Sequence, residues 1–255
     1  MPSRNRSTFR FYEELNDFLP PLRRKTAFDY EFDGTPSVKD SIEAVGVPHT
    51  EVDLILVDGE SVDFRHLLRG GERVAVYPLF ERLDIAGLTR LRPAPLRDPR
   101  FVLDVHLGRL ARYLRLAGFD TCYANDYDDA TVVSVSLAER RIILTRDVGI
   151  LKHRAVTHGY WVRNSAPRAQ LREVVAALDL ATRVRPFERC MQCNGTLRDA
   201  SREEVIDRVP PSIAREHDRF RLCESCGRIY WRGSHYDRLV RLLDEALIGL
   251  RAPLS

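Results

Sequence analysis

The stretch from residue 100 to residue 118, RFVLDVHLGRLARYLRLAG, joins a strand pattern to a helix pattern. Its apolar run at 101–103 suits a short buried strand and ends at the acidic Asp104. Apolar residues then recur at helical spacing, at Leu107, Leu110, Leu114 and Ala117. Arginines occupy the other faces of this helix, at Arg109, Arg112 and Arg115. Because Gly118 can end a helix, the stretch predicts a strand followed by a helix.

The same alternation continues downstream. Three more runs have the composition of short strands, at residues 119–123, 141–145 and 159–163. Two further segments have helical character, at residues 130–140 and 170–180. Strands that alternate with helices imply an α/β domain with a parallel sheet.

Two proline-containing breaks flank this region, at residues 92–99 and 183–186. Proline removes a backbone donor and restricts the residue before it, so both breaks indicate boundaries. We therefore expect three modules, at residues 1–95, 96–182 and 183–255.

Acidic residues follow the predicted strands of the middle module. Asp104 and Asp147 each stand at a strand end, and a cluster follows the second strand, at Asp126, Asp128 and Asp129. Ligands of open α/β sheets bind beyond the carboxyl ends of the strands. Converging carboxylates repel each other, and Mg²⁺ or Mn²⁺ relieves that repulsion and can activate water against a phosphodiester. The order of elements therefore suggests a metal-dependent nuclease.

Structural roles compete with this interpretation. Asp128 or Asp129 can cap the following helix. Asp126 can be a turn residue, and Asp147 can simply end its strand. Spacing alone leaves both interpretations open.

The first module has two strand patterns, then a helix pattern, then three further strand patterns. Its strand patterns lie at residues 8–12, 25–32, 52–57, 61–64 and 73–78, and its helix pattern lies at 38–45. This order predicts an α+β sheet covered by one helix. Two segments, LILVDGE at 54–60 and GGERVAVYP at 70–78, resemble a ubiquitin-like β-grasp domain of the sulfur-carrier type.

Sulfur carriers of that kind end in a free Gly-Gly carboxylate. Here Gly70-Gly71 precedes a strand, where a turn that needs positive φ is the simpler explanation. We therefore expect a binding or scaffolding module with a protein partner, and sulfur-carrier chemistry is the alternative.

The middle module carries a second resemblance. Its segments FVLDVHLGRLARYLR at 101–115 and ILTRD at 143–147 resemble the Mut-seven C-terminal ribonuclease family, over most of residues 100–245. The resemblance implies a PIN-like nuclease fold that acts on RNA. It also implies metal-binding carboxylates, at Asp104, Asp147 and the cluster that contains Asp126 and Asp129. Which acids of the cluster bind the metal stays open.

Cations of the same module are candidates for binding RNA phosphates, at Arg109, Arg146 and Lys152. Arginine stays protonated, so contact with phosphate suits it better than acid–base chemistry. A solvated helix face is the alternative for Arg109. His106 can carry protons, but water activated by a metal needs no histidine, so we expect a structural or substrate-contact role.

Four of the five cysteines form the pattern C-x2-C-x29-C-x2-C, at Cys190, Cys193, Cys223 and Cys226. Two such pairs supply the four thiolates that structural Zn²⁺ prefers, and a glycine follows each pair. The pattern predicts a zinc ribbon, whereas a redox dithiol would need one pair alone. Tyr230 and Trp231 follow the second pair and can stack on bases or form the small core of the ribbon.

Composition sets the remaining limits. The net charge is +3 over 255 residues, but residues 1–95 carry 13 basic and 16 acidic side chains, so the excess of positive charge lies in the rest of the chain. That excess gives modest attraction for nucleic acid. No apolar run approaches the ~20 residues of a membrane span, and the polar start argues against a secretory signal, so a cytoplasmic location is expected.

These observations predict a metal-dependent ribonuclease with a ubiquitin-like domain, a PIN-like domain and a zinc ribbon that helps to hold RNA. The alternative is a non-catalytic adaptor that binds RNA or docks a protein through the same modules.

Overall fold

The computed structural model describes residues 4–78, 91 and 99–250. The chain divides into two compact units. The first unit comprises Met1–Asp98 and Asp147–Trp161, and the second comprises Pro99–Arg146 and Val162–Ser255. Within the described ranges, no helix has the length and apolar character needed to cross a membrane.

A mixed sheet with one helix forms the N-terminal part of the first unit. Its elements are β1 (Asn5–Phe11), β2 (Phe28–Phe32), α1 (Val38–Val45), β3 (Val52–Val57), β4 (Glu60–Ser61) and β5 (Arg73–Pro78). The strand order is β2-β1-β5-β3-β4, with β1 parallel to β5 and the other pairs antiparallel. This topology confirms the predicted α+β domain.

Helix α1 forms where the sequence provides both of its ends. The Ser37 hydroxyl accepts a hydrogen bond from the backbone N–H of Asp40 at 3.1 Å, and Gly46 ends the helix with φ +122°. Ile42 is fully buried in the same core as Phe9 and Phe11 of β1. The helix therefore covers one face of the sheet.

The pair Gly70-Gly71 lies in the turn before β5. Both residues have positive φ, 106° and 93°, a conformation that glycine adopts without strain. The Gly71 N–H donates to the Arg6 carbonyl at 2.7 Å, which ties the turn to β1. The turn interpretation of this pair is confirmed.

Strands and helices alternate through the middle of the chain. The elements are β6 (Phe101–Leu103), α2 (Gly108–Leu116), β7 (Thr121–Cys122), α3 (Asp129–Glu139), β8 (Ile142–Thr145), α4 (Val148–Leu151), β9 (Gly159–Trp161) and α5 (Pro167–Ala177). In the second unit, β6 pairs in parallel with both β7 and β8. The predicted parallel α/β sheet is confirmed, while α4 and β9 belong to the first unit.

Helix α2 departs from the sequence expectation at one residue. Leu110 and Leu114 face the core as expected, but Arg115 is also buried, with 5% of its surface exposed. Its Nε donates to the Thr121 carbonyl at 2.9 Å, and its Nη1 donates to the Gln192 carbonyl at 2.9 Å. The sequence pattern did not indicate this burial, in which backbone carbonyls replace water around the guanidinium of Arg115.

The C-terminal part of the second unit contains a small antiparallel sheet. Its elements are β10 (Leu197–Ser201), α6 (Arg202–Val205), α7 (Pro211–Glu216), β11 (Arg219–Cys223), β12 (Ile229–Trp231) and α8 (Ser234–Ala246). The strand order is β10-β11-β12. Phe220 and Val205 lie in its core, and Trp231 packs against that core while partly buried.

Candidate active site and metal centre

Asp104 lies at the end of β6, with 4% of its surface exposed. Its Oδ1 accepts a hydrogen bond from the backbone N–H of His106 at 2.8 Å and caps the following 3-10 turn. Its Oδ2 accepts from the Thr145 hydroxyl and from the backbone N–H of Arg146, the latter at 3.0 Å. Because β6 and β8 are parallel neighbours, their carboxyl ends meet and fix this carboxylate between them.

The other acidic residues of the predicted site are exposed, at Asp126, Asp129 and Asp147. Asp147 caps α4, and its Oδ1 accepts from the Gly149 N–H at 2.6 Å. Asp128 caps α3 and accepts from the Thr131 N–H at 2.8 Å, a hydrogen bond that keeps its pKa below the usual value. Within residues 4–78, 91 and 99–250, no three carboxylate or imidazole groups lie close enough to hold one ion.

A cleft of about 480 Å³ adjoins the start of α2 in the second unit. It is lined by His106, Gly108, Arg109, Arg112, Tyr123, Ser165, Pro167 and Gln170. The lining contains two arginines and a histidine but no acidic side chain, so its charge suits an anionic ligand.

The absence of a side chain at Gly108 shapes this cleft. The Tyr123 hydroxyl donates to the Val105 carbonyl at 3.1 Å, and its ring lies across the start of α2. A Cβ at position 108 would stand 2.6 Å from the Tyr123 hydroxyl oxygen and 2.8 Å from its Cζ. Since both distances are shorter than a van der Waals contact, a larger residue would displace the ring.

The three cations predicted to bind phosphate have different surroundings. Arg109 lines the cleft. The backbone N–H of Arg146 donates to Asp104 Oδ2, and its Nη1 donates to the Asn164 carbonyl at 2.9 Å. The ammonium of Lys152, in the first unit, donates to the Glu43 carbonyl at 3.0 Å.

The four paired cysteines come together in the second unit. Their sulfur atoms all lie within 4.8 Å of one another, at Cys190, Cys193, Cys223 and Cys226. A backbone hydrogen bond closes the turn at each cysteine pair. The Asn194 N–H donates to the Cys190 carbonyl at 2.9 Å, and the Gly227 N–H donates to the Cys223 carbonyl at 3.0 Å. This cluster could hold a structural zinc ion.

Hydrogen bonds favour the thiolate form of one member of the cluster. Burial opposes ionisation of Cys190, but the Tyr230 hydroxyl, 3.1 Å from its sulfur, and nearby backbone N–H groups outweigh burial and lower its pKa to about 6. Because metals bind the thiolate, this environment prepares Cys190 as a ligand. Tyr230 therefore contacts the four-cysteine cluster and is not only part of the small core.

Two protein-family models match the chain, one in its N-terminal part and one in the remainder. A family model described as Mut7-C RNAse domain matches residues 99–243. The chain belongs to the Mut7-C RNAse domain family. A second model, described as Mut7-C ubiquitin, matches residues 5–84. No curated protein and no solved structure matches the chain. Membership of the family indicates a ribonuclease, with RNA as its substrate.

The cysteine loops are joined to the sheet of the Mut7-C RNAse domain through Asp120. Its Oδ1 accepts from Arg141 Nη1 and from Asn194 Nδ2, both at 2.7 Å. Burial raises the pKa of Asp120, but these two hydrogen bonds outweigh it and hold the pKa below its usual value. The Thr121 N–H donates in turn to Asn194 Oδ1 at 2.8 Å. The four-cysteine site is thus rigidly connected to β7.

Sequence reasoning missed several polar residues around Asp104 and the cleft. Thr145 lies inside a quoted motif, but its hydroxyl contact with Asp104 depends on the pairing of β6 and β8. Tyr123 and Gln170 line the cleft, and they stand far apart in the sequence. One signal was available for Tyr123, because Gly108 interrupts an otherwise bulky helix start and indicates close approach of another group.

Proposed function

We propose that this protein hydrolyses RNA phosphodiester bonds with a divalent cation held by carboxylates at the end of β6 and β8. The observation that carries the proposal is the buried, oriented carboxylate of Asp104 beside a cleft lined by arginines. A buried carboxylate at the carboxyl end of a parallel strand, close to a cleft, is typical of a ligand-binding or reaction site.

The chemistry of Asp104 fits a cation. Hydrogen bonds and the His106 ring, 3.5 Å away, surround the carboxylate, and no arginine or lysine side chain of the described residues forms an ion pair with it. A buried anion without a cationic partner is costly, so a bound cation would stabilise it. Mg²⁺ or Mn²⁺ suits these oxygen ligands and would supply activated water and stabilisation of the leaving oxygen.

Three exposed acids are proposed to complete the metal shell with Asp104, namely Asp126, Asp129 and Asp147. Each is accessible, and exposed carboxylates can reorient toward a cation as it binds. Asp147 stands two residues after Thr145, whose hydroxyl already holds Asp104. The backbone and the Thr145 hydroxyl orient Asp104, so its own position needs no rearrangement.

The cleft is proposed to hold the RNA backbone. Arg109 and Arg112 offer fixed positive charge for phosphate, and Tyr123 offers a ring on which an unpaired base can stack. Arg146 and Lys152 are proposed to contact phosphate as well, because a guanidinium carries five N–H donors and an ammonium carries three. A structural zinc ion in the cysteine cluster would keep the ribbon folded.

Cleavage of labelled RNA in Mn²⁺, in Mg²⁺ and in EDTA tests the proposal. We expect cleavage by the wild type with metal only, and a loss of at least about a hundredfold in Asp104→Asn and in the exposed Asp147→Asn. The exposed Asp207→Asn, which changes the same functional group in the ribbon insert, is the matched control and should cleave normally. Equal cleavage by Asp104→Asn would contradict the assigned site.

One observation favours a second candidate, the non-catalytic adaptor. In the described part of the chain the acids do not form a ready group for an ion, and Asp128 and Asp147 both serve as helix caps. An adaptor would bind RNA equally in EDTA and in Mn²⁺ and leave it intact under every condition. Intact RNA together with tight binding would select this function.

A further inference from the structure

The ubiquitin-like module contacts a segment that belongs, by sequence, to the RNAse domain. Within the first unit, residues of the module contact Asp147–Trp161, which lies inside the match to the RNAse domain. We call these contacts the clamp: Glu43, His49 and Glu51 of the module with Lys152, Val156 and Trp161 of the segment. The clamp joins residues about a hundred positions apart in the chain.

His49 is the central residue of the clamp. It is 6% exposed, and both nitrogens of its ring are engaged. Its Nδ1 lies 2.5 Å from Glu43 Oε1, and its Nε2 donates to the Val156 carbonyl at 2.7 Å. A carbonyl oxygen only accepts hydrogen bonds, so Nε2 carries a proton and the ring bridges the two parts of the unit.

Glu51 makes the second buried contact. Its carboxylate accepts a hydrogen bond from the backbone N–H of Trp161, and Glu51 is only 2% exposed. The Trp161 ring lies against Phe18 of the module, with ring centroids 4.9 Å apart. Loss of this donor would remove a hydrogen bond from a buried carboxylate, which is costly, so this contact resists separation.

Lys152 makes the third polar contact of the clamp. Its ammonium donates to the backbone carbonyl of Glu43, the residue whose side chain holds His49. Four contacts therefore hold the stretch from Lys152 to Trp161, and the short helix α4 joins that stretch to Asp147. A module attached only to recruit partners would need none of these buried polar contacts across to the nuclease sequence.

We infer that the ubiquitin-like module is a positioning part of the ribonuclease, in which His49 and Glu51 hold the segment that carries Asp147. The inference rests on the proposed function, since Asp147 is there a metal-binding acid. Holding this stretch restricts the segment within the first unit, so we expect loss of the clamp to change how readily Asp147 contributes to metal binding. His49 and Glu51 act through Asp147 and touch no substrate.

Hydrogen exchange on the full chain tests the clamp without any assay of activity. In Glu51→Ala and His49→Ala we expect amides of residues 148–161 to exchange roughly tenfold faster or more, because each loses a hydrogen bond that involves a buried polar group. Glu51→Gln keeps an acceptor for the Trp161 N–H and should restore most of the protection. The controls are Glu31→Ala, at an exposed position on β2, and His66→Ala, both in the module but outside the clamp.

Amides of β1 and β5 serve as an internal check that the module stays folded in each variant. If they keep their protection while residues 148–161 also keep theirs, the clamp does not hold the segment and the inference is overturned. If β1 and β5 lose protection in the alanine variants, Glu51→Gln carries the test: its protection at 148–161 must then fall between those of the wild type and Glu51→Ala.

Metal dependence then connects the clamp to the reaction. We expect Glu51→Ala and His49→Ala to raise the Mn²⁺ concentration for half-maximal cleavage roughly tenfold, with RNA binding in EDTA unchanged. An unchanged Mn²⁺ requirement beside faster exchange would overturn the positioning role. If the wild type does not cleave RNA at all, the proposed function fails, whereas the exchange result still decides whether the module holds the segment.

Discussion

Replacing Arg115 by alanine should destabilise the second unit strongly. Its guanidinium makes two hydrogen bonds of 2.9 Å, to the carbonyls of Thr121 and Gln192, in a buried position. Hydrogen bonds from a charged donor contribute about 1.5–3 kcal/mol each, so the two together contribute about 3–6 kcal/mol. Burial opposes the charge and lowers the pKa of Arg115, which offsets part of this gain. A net loss of about 3–5 kcal/mol in the free energy of unfolding is expected.

Thermal unfolding provides the measurement. For a unit of this size about 2–4 °C is lost per kcal/mol, so the midpoint should fall by roughly 6–20 °C. Arg112→Ala is the matched control, because Arg112 lies one turn earlier on the same helix but is exposed. An exposed substitution of this kind should change the unfolding free energy by less than about 0.5 kcal/mol.

The comparison of the two alanine variants decides the reasoning. Equal shifts for Arg115→Ala and Arg112→Ala would refute it, because they would mean that the burial penalty of the guanidinium cancels its hydrogen bonds. Arg115→Lys adds a second check. Lysine keeps the charge but cannot donate to two carbonyls in the geometry of a guanidinium fork, so its stability should lie between those of the wild type and Arg115→Ala.

Three further predictions concern the cleft and the carboxylate of Asp120. The double variant Arg109→Ala/Arg112→Ala should bind single-stranded RNA more weakly in EDTA. The slope of log K for RNA binding against log salt concentration should fall by roughly 1.4, which anisotropy titrations over a salt series measure. An unchanged slope would exclude both arginines from phosphate contact. Gly108→Ala should displace the Tyr123 ring and weaken RNA binding with little loss of thermal stability, whereas unchanged binding would show that the ring does not contact RNA. Because its pKa is lowered from the ordinary value of 3.8, Asp120 stabilises the fold at pH above 3.8, and this stabilisation is lost as the pH falls below 3.8. Asp120→Asn should therefore flatten the acid limb of the curve of unfolding free energy against pH. An acid limb identical to that of the wild type would contradict this prediction.

The fold could be predicted because its signals are local. The strand-then-helix pattern at residues 100–118 and the turn at Gly70-Gly71 both depend on periodicity and on residues close in sequence, and the structure has both. The spacing of the cysteine pairs also predicts that they come together, because two pairs supply all four ligands of a tetrahedral shell. These features needed no knowledge of distant contacts.

Side chains whose partners lie far away in the sequence could not be placed in this way. Arg115 looks like one more solvated arginine of an amphipathic helix, and the pattern does not show that the carbonyl of Gln192, 77 residues later, accepts a hydrogen bond from it. His49 and Glu51 have the same character, since their acceptor and donor lie in residues 156–161. The spacing of apolar residues indicates which face of an element is buried. It does not indicate a polar side chain that is hydrogen-bonded to the backbone of a residue far away in the sequence.

Helix α2 brings the two functional features of the second unit onto one rigid element. Its first half presents Arg109 and Arg112 to the cleft, and its last turn holds the cysteine loops through Arg115. The chain that leads into those loops is also tied to the end of this helix, because the Arg185 N–H donates to the Ala117 carbonyl at 2.8 Å. A helix is stiff over nine residues, so whatever orders the cysteine loops also restricts the cleft arginines. We therefore expect the ribbon to contribute to RNA binding through the position of α2, even without touching RNA itself.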